Sequence, residues 1–207
     1  MNNSKICIVN YHMGNLFSVA KKVRQVGSDG KIVTTAKELL SAGKIILPGV
    51  GHFGKAMDNL RKLGLLEALN EAVCGKKIPV LGICLGMQLM AKGSEEGNAE
   101  GLGWFDAVVK RFRVSDAIRY KIPHTGWNTI SIEKPSHLMS DIPNGSEFYF
   151  VHAYHMVCND AKDVLNTTVY EEKFVSAIEK NNIFGVQYHP EKSHDEGKKL
   201  ISNFLKL

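Results

Sequence analysis

Cysteine is scarce in this chain. The four present, Cys7, Cys74, Cys84 and Cys158, show neither Cys-x-x-Cys spacing nor a compact disulfide framework. A reducing, cytoplasmic setting is therefore expected. Long apolar runs are also missing. The N-terminal stretch Ile6–Val9 is too short for a signal peptide, and nothing reaches membrane-spanning length, so no membrane association is expected. No block of basic charge stands out either. The formal charge is +5, and lysine pairs such as Lys21-Lys22, Lys76-Lys77 and Lys198-Lys199 are scattered. That is a solvated surface and not a nucleic-acid stripe. With no repeat, low-complexity tract or evident linker, one domain over residues 1–207 is expected. Apolar residues at 44% and charged residues at 23% suit a globular chain with a sizeable core.

What is present alternates, in the first half, between strand and helix patterns. Lys5–Val9 reads as a buried strand, followed by Leu16, Val19, Ala20, Val23 and Val26 at helical spacing. Lys31–Thr34 and Lys44–Leu47 read as short strands. Met57, Leu60, Leu63, Leu66, Leu69 and Val73 mark one amphipathic helix ahead of the strand Ile78–Leu81. Later, Asn128–Glu133 alternates in polarity and Glu147–His152 is aromatic and β-rich. Phe174–Glu179 and Asn182–Tyr188 read as a strand pair, and Leu200, Ile201, Phe204 and Leu205 as one face of a last helix. The predicted fold is a single doubly wound α/β domain. Its mixed sheet is mainly parallel in the first half, with antiparallel strands added in the second. Chemistry is expected at the carboxyl ends of the strands.

One such end carries Gly82-Ile83-Cys84-Leu85-Gly86-Met87. Gly-x-Cys-x-Gly between a strand and helix-forming residues is the cysteine counterpart of a serine nucleophile elbow, whose tight corner excludes side chains on both flanks. The start of a helix there would favour the thiolate through its free amides and dipole. A buried core cysteine beside a helix is the plainer alternative. A thiol nucleophile needs a base held by a third group. Gln187-Tyr188-His189-Pro190-Glu191 offers both, because residues two apart on an extended chain share a face, and Pro190 keeps His189 extended. An isolated His-Pro-Glu is otherwise a surface turn. Leu47-Pro48-Gly49-Val50-Gly51 supplies unobstructed amides for an oxyanion, with Leu85 as the second donor.

Two decoys fall away. Gly49–Gly54 fits GxGxxG, but the next strand ends in Gly-Ile-Cys where a dinucleotide site needs an acid. His152, His155 and Cys158 are zinc-ligand types, yet i, i+3 positions on a strand face opposite sides. Neither a metal nor a cofactor is expected.

Together, PGVGHFG, LGICLGMQLM, SEEG, KIPHTGWN, FYFVHAYH and GVQYHPEKS resemble the class I (triad) glutamine amidotransferases over essentially the whole chain. Within that family the resemblance is to the glutaminase subunits of imidazole glycerol phosphate synthase, from histidine biosynthesis. It implies a triad of Cys84, His189 and Glu191, with oxyanion amides from Val50 and Leu85. It also implies a glutamine site of Gly49, Gly51, Gln88, Glu96, Val151, His152 and Ala153, Glu96 facing the substrate ammonium. The implied partner is a (β/α)8-barrel cyclase forming a heterodimer, met by Asn15, Trp127 and Lys192. Length agrees, since a glutaminase filling 207 residues leaves no room for an ammonia-accepting domain.

Three positions depart from the family pattern. His12 replaces a glycine, Ala153 stands where serine is usual, and Thr125 replaces a methionine. None touches the triad, but they bear on the partner. A paralogous glutaminase feeding a surface-polysaccharide sugar amidotransferase is the second expectation. A stand-alone cysteine hydrolase, such as a peptidase or γ-glutamyl hydrolase, and a non-catalytic interaction module follow it.

Overall fold

The computed structural model describes residues 5–207, so residues 1–4 of the expected domain lie outside it. Strand β1 (Ile6–Val9) is buried along its whole length. It is apolar on both faces because both faces are covered: Ile6 and Ile8 join one core, Cys7 and Val9 the other. Asn15 Oδ1 accepts the Ser18 amide at 3.2 Å and starts helix α1 (Leu16–Gln25), whose Val19, Ala20 and Val23 are buried. Strand β2 (Gly30–Val33) follows, then a single helical turn α2 (Ala36–Leu39) capped by Thr35, then β3 (Lys44–Gly49).

The single helix expected across Met57–Val73 is two. Helix α3 (Phe53–Lys62) ends at Gly64, which takes a left-handed φ of 63°, and α4 (Leu65–Asn70) starts there. A glycine in that conformation stops one helix without a steric penalty. The apolar periodicity runs through the break because both pieces bury the same side against the same sheet face. A wide helical turn, Glu71–Gly75, leads on to β4 (Val80–Cys84) and the one-turn α5 (Leu85–Gln88).

The second half supplies β5 (Gly93–Ser94), β6 (Ala99–Glu100), β7 (Ala107–Arg111), β8 (His124–Thr129) and β9 (Ser131–Ile132). It continues with β10 (Glu147–His152), β11 (Tyr154–Cys158), β12 (Val164–Tyr170), β13 (Glu172–Lys180), β14 (Ile183–Val186) and α6 (His194–Lys206). The main sheet runs β2-β1-β3-β4-β14-β13-β11-β7-β5-β6, with β12 on β13 and β9 on β12. Its five neighbours from β2 to β14 are parallel. Pairings from β14 through β13 and β11 to β7 are antiparallel. Helices α2, α3 and α4 cover one face, α1 and α6 the other. The doubly wound mixed sheet expected from the sequence is the one observed.

The alternating run Asn128–Glu133 divides at buried Ile130 into β8 and β9. Strands β8 and β10 form a separate antiparallel ribbon, pairing Thr129 with Glu147 through to His124 with His152. The ribbon lies against the strand ends: His189 donates its amide to Tyr149 O at 2.8 Å. At Ala153 the chain leaves the ribbon and enters the main sheet as β11. The site is built at that crossing.

Candidate active site

Cys84 closes β4 with φ 54° and ψ −111°, a conformation that resists any residue with a β-carbon. The flanking glycines are sterically enforced. A Cβ on Gly86 would lie 1.7 Å from Leu47 O, and one on Gly82 would lie 2.7 Å from the Met87 amide. The elbow expected from Gly-x-Cys-x-Gly is therefore present. The helix behind it is shorter than the expectation required. Leu85–Gln88 is one turn, so any macrodipole acting on Cys84 is slight, and only the free amides of that turn remain.

The thiol donates to Val151 O at 3.9 Å and accepts from Gln187 Nε2 at 3.6 Å. His189 Nδ1 pairs with Glu191 Oε1 at 2.8 Å, both side chains only 2% exposed. The two do not lie on one extended run: Pro190–Lys192 turns back as a short 3-10 helix that brings Glu191 under the ring. Ser193 Oγ holds this turn, donating to His189 O at 2.7 Å and accepting the Tyr149 amide at 3.0 Å. His189 Nε2 is buried and has no partner. Burial opposes a charge on this ring, yet the hydrogen bond to Glu191 and the negative charge that Glu191 and an ionised Cys84 place beside it outweigh burial. They raise the basicity of the imidazole above the usual histidine range, so a proton received from Cys84 would be held. A buried base with its far nitrogen unspent, oriented by a carboxylate, can take a thiol proton.

A cleft of about 390 Å³ opens in front of the sulfur. Val50, Gly51, Cys84, Leu85, Gln88, Glu96, Val151, His152 and Ala153 line it, together with Pro123 and Tyr154. Gly49 does not reach it. It passes over buried Tyr11, where a Cβ would lie 2.2 Å from the phenol oxygen, and Tyr11 in turn donates to Pro48 O at 2.7 Å. Gly49 thus allows the close approach that seats the loop. Gly51 has φ 105°, and no Val50 amide bond to a backbone acceptor is formed among the described residues. Glu96 Oε2 accepts the Phe53 amide at 2.7 Å, which fixes its carboxylate at the head of α3. Gln88 spends its amide nitrogen on Tyr154 O and Gln187 Oε1, both at 3.0 Å, so only its oxygen is free for the cleft.

His152 is bound into the protein instead of standing free. Its Nδ1 lies 2.8 Å from Tyr154 O and its Nε2 lies 3.1 Å from His124 Nδ1. Burial pushes His152 down to about 3 and His124 down to about 4, so both rings are neutral. His155 points elsewhere and stacks on Phe112. Among the described residues no three metal-ligating side chains converge. A hollow of about 630 Å³ beside Pro79, Asn182 and Leu207 lies away from Cys84.

Sequence reasoning missed Tyr11, His124, Tyr154, Gln187 and Ser193. Gln187 was within reach, since the i, i+2 argument that joined His189 to Glu191 also joins it to His189. The others act across long separations in the chain, and no local pattern marks them.

Asn15, Trp127 and Lys192 remain exposed. Lys192 Nζ lies 5.4 Å above the Tyr149 ring, and Trp127 stacks on His194 with centroids 4.8 Å apart. Phe17, 79% exposed, adds an apolar group at the start of α1. Asn15 has a structural duty as the α1 cap.

A doubly wound sheet with a cysteine elbow, a buried His–Glu pair and an adjoining cleft has the architecture of the α/β enzymes built around a nucleophile elbow. The family profile of Glutamine amidotransferase class-I matches residues 7–207. The chain belongs to this family. It is 48% identical over 202 residues to imidazole glycerol phosphate synthase subunit HisH 2 of Methanococcus maripaludis, covering 97% of this chain and 98% of that one. It is 43% identical to subunit HisH 2 of Pseudomonas aeruginosa, covering 98% and 99%. It is 45% identical to subunit HisH 1 of Campylobacter jejuni RM1221, covering 98% and 100%. Among solved structures, a putative GMP synthase component from Thermoplasma acidophilum superposes with TM-score 0.74 at 20% identity, covering 98% of this chain and 92% of that one. PurLQS of Thermotoga maritima gives 0.73 at 18%, covering 98% of each. At those identities the structural likeness speaks for the fold.

Proposed function

We propose that this chain is the glutaminase subunit of an imidazole glycerol phosphate synthase, working in the cytoplasm. The reading is supported by a buried His189–Glu191 pair that Cys84 is near enough to perturb, and by a cleft lined by Cys84, Glu96 and the Val50–Gly51 loop. Full-length identity to subunits of that name supports the pathway.

In this mechanism His189 Nε2 takes the thiol proton and Cys84 Sγ attacks the side-chain amide carbon of L-glutamine. The amides of Val50 and Leu85 stabilise the oxyanion. The C–N bond breaks, His189 protonates the departing ammonia, and a γ-glutamyl thioester remains for water to hydrolyse. Glu191 orients the imidazole and stabilises its charged form. The carboxylate of Glu96 receives the substrate ammonium, and Gly51, Gln88, Val151, His152 and Ala153 border the substrate. Ammonia released into water would be largely protonated and lost as a nucleophile. A (β/α)8-barrel cyclase meeting Asn15, Trp127 and Lys192 would receive it directly.

Glutamate release from L-glutamine by the heterodimer with that cyclase tests the reading. Cys84→Ala should lower the rate by more than about 10³-fold, and an unchanged rate would discard the mechanism. A second acceptor, a surface-polysaccharide sugar amidotransferase, has one observation in its favour. The relatives from Methanococcus and Pseudomonas are named subunit HisH 2, a numbered HisH. Stimulation by the cyclase of such a cluster, and not by the histidine-pathway cyclase, would move the assignment there.

A further inference from the structure

Gln187 is fully buried, and its amide reaches the nucleophile with Nε2 at 3.6 Å from Cys84 Sγ. Which end of a buried amide faces a neighbour is fixed by what surrounds it. Here the anchor is a backbone atom that cannot flip. Tyr154 O only accepts, so the end of Gln88 lying 3.0 Å from it is the NH₂ group. The same nitrogen lies 3.0 Å from the Gln187 amide, and the atom it meets is therefore the acceptor, Oε1. Nε2 of Gln187 is thereby turned to the sulfur. The alternative orientation of Gln88 would set two carbonyl oxygens against each other. His152 Nδ1 also donates to Tyr154 O, at 2.8 Å, which leaves that carbonyl doubly committed.

We propose that Gln187 is a further catalytic residue: its Nε2–H donates to Cys84 Sγ and favours the thiolate, while Gln88 is the positioning residue that keeps the donor aimed. The proposal rests on the reading of Cys84 as the nucleophile. A hydrogen bond to the charged form of an acid favours that form. The one-turn α5 contributes little dipole, so the sulfur needs support from elsewhere. The imidazole of His189 must give up its proton to ammonia within each turnover, whereas the amide N–H stays in place throughout. It acts twice. It stabilises the sulfur anion before attack. It acts again when water adds to the thioester carbon and the C–S bond breaks, for the electron pair then returns to Sγ beside the same donor. Sγ regains its proton from the His189 imidazolium, which had taken one from the attacking water.

The test is the pH dependence of Cys84 alkylation by iodoacetamide, followed by mass spectrometry of the Cys84 peptide in the full chain without glutamine. In Gln187→Met, of similar length but with no donor, the midpoint of the curve should move to higher pH by about one unit. Gln88→Met, which leaves Gln187 in place but unaimed, should move it the same way by less. Glutamine turnover in the heterodimer with the cyclase should fall about tenfold in Gln187→Met with KM nearly unchanged, the pattern of a lost reacting-atom contact. A purely structural Gln187 would lower the melting temperature and leave the alkylation midpoint where it was, which overturns the proposal. If Gln187→Met does not fold, Gln88→Met decides alone, and an unmoved midpoint overturns it again. Failure of the nucleophile reading looks different: Cys84→Ala would keep its glutaminase activity while the alkylation curves still separate.

Discussion

At the scale of single residues, Cys84, the proposed nucleophile, holds the least comfortable backbone of the site. With φ 54° and ψ −111°, Cys84 occupies a region that glycine enters freely and other residues enter at about 1–3 kcal/mol. Glycine normally costs about 0.5–1 kcal/mol relative to alanine when a structured position is filled. At position 84 the order should reverse: Cys84→Gly should resist urea better than Cys84→Ala, by about 1 kcal/mol. Equal or inverted midpoints would mean the corner is unstrained. Two residues on, the constraint is contact rather than torsion. A Cβ on Gly86 would lie 1.7 Å from the backbone oxygen of Leu47, and neither atom belongs to a flexible side chain. Gly86→Ala should cost more than about 3 kcal/mol by the same measurement, because relief requires β3 and the elbow to separate. His12 shows the milder case. It holds φ 64° on an exposed corner.

At the scale of elements, Gly64 decides where one helix becomes two. A Cβ added there meets nothing within 4 Å, so the whole effect of Gly64→Ala is conformational. With φ 63° it should cost about 1 kcal/mol, read as a lower urea midpoint with an unchanged slope. This break was invisible to periodicity. Leu60, Leu63, Leu66 and Leu69 keep helical spacing across it, and spacing reports the buried face, not the continuity of the backbone. The strands β1, β3, β4 and β10 were legible for the converse reason. Their apolar or alternating runs are short, bounded by turn residues, and buried as the pattern requires. The short α2, β5, β6 and β9 carry too few residues to make a period. The site divides the same way. Cys84, His189 and the Pro48–Gly51 loop announce themselves through steric signatures in adjacent residues. The partners of Gln88, His152 and His124 come together only through the ribbon crossing at Ala153, which no local pattern encodes.

At the scale of the whole molecule, that crossing leaves a pair of neutral histidines between two sheets, and it ties fold stability to pH. Asn128 Nδ2 lies 3.3 Å from His124 Nε2, His124 Nδ1 lies 3.1 Å from His152 Nε2, and His152 Nδ1 lies 2.8 Å from Tyr154 O. Because Tyr154 O only accepts, each ring donates once and accepts once, and a second proton on either would set two N–H groups face to face. Phe150 and Tyr170 stack on His124, while Phe112 and Phe174 pack on His152. Water is kept out, and His189, when protonated, adds repulsion from nearby. Burial therefore lowers His124 to about 4 and His152 to about 3, against about 6.5 in an unfolded chain. Below pH 6.5 the unfolded chain binds protons that the folded one refuses, so stability is intact above that value and is lost as pH falls toward 4 and then 3. His155, also lowered by burial, works in the same direction. His189, raised instead, is protonated in both states over most of this range and adds little slope. Between about pH 6 and 5, above the main carboxylate range, each neutral buried histidine should remove up to about 1.4 kcal/mol of stability per pH unit. His124→Phe keeps the aromatic stack but cannot titrate. Urea unfolding at a series of pH values should show it less stable at pH 7, for want of the donor to His152, but with a clearly shallower loss on acidification. An acid slope as steep as that of the parent would mean that His124 is charged inside the fold.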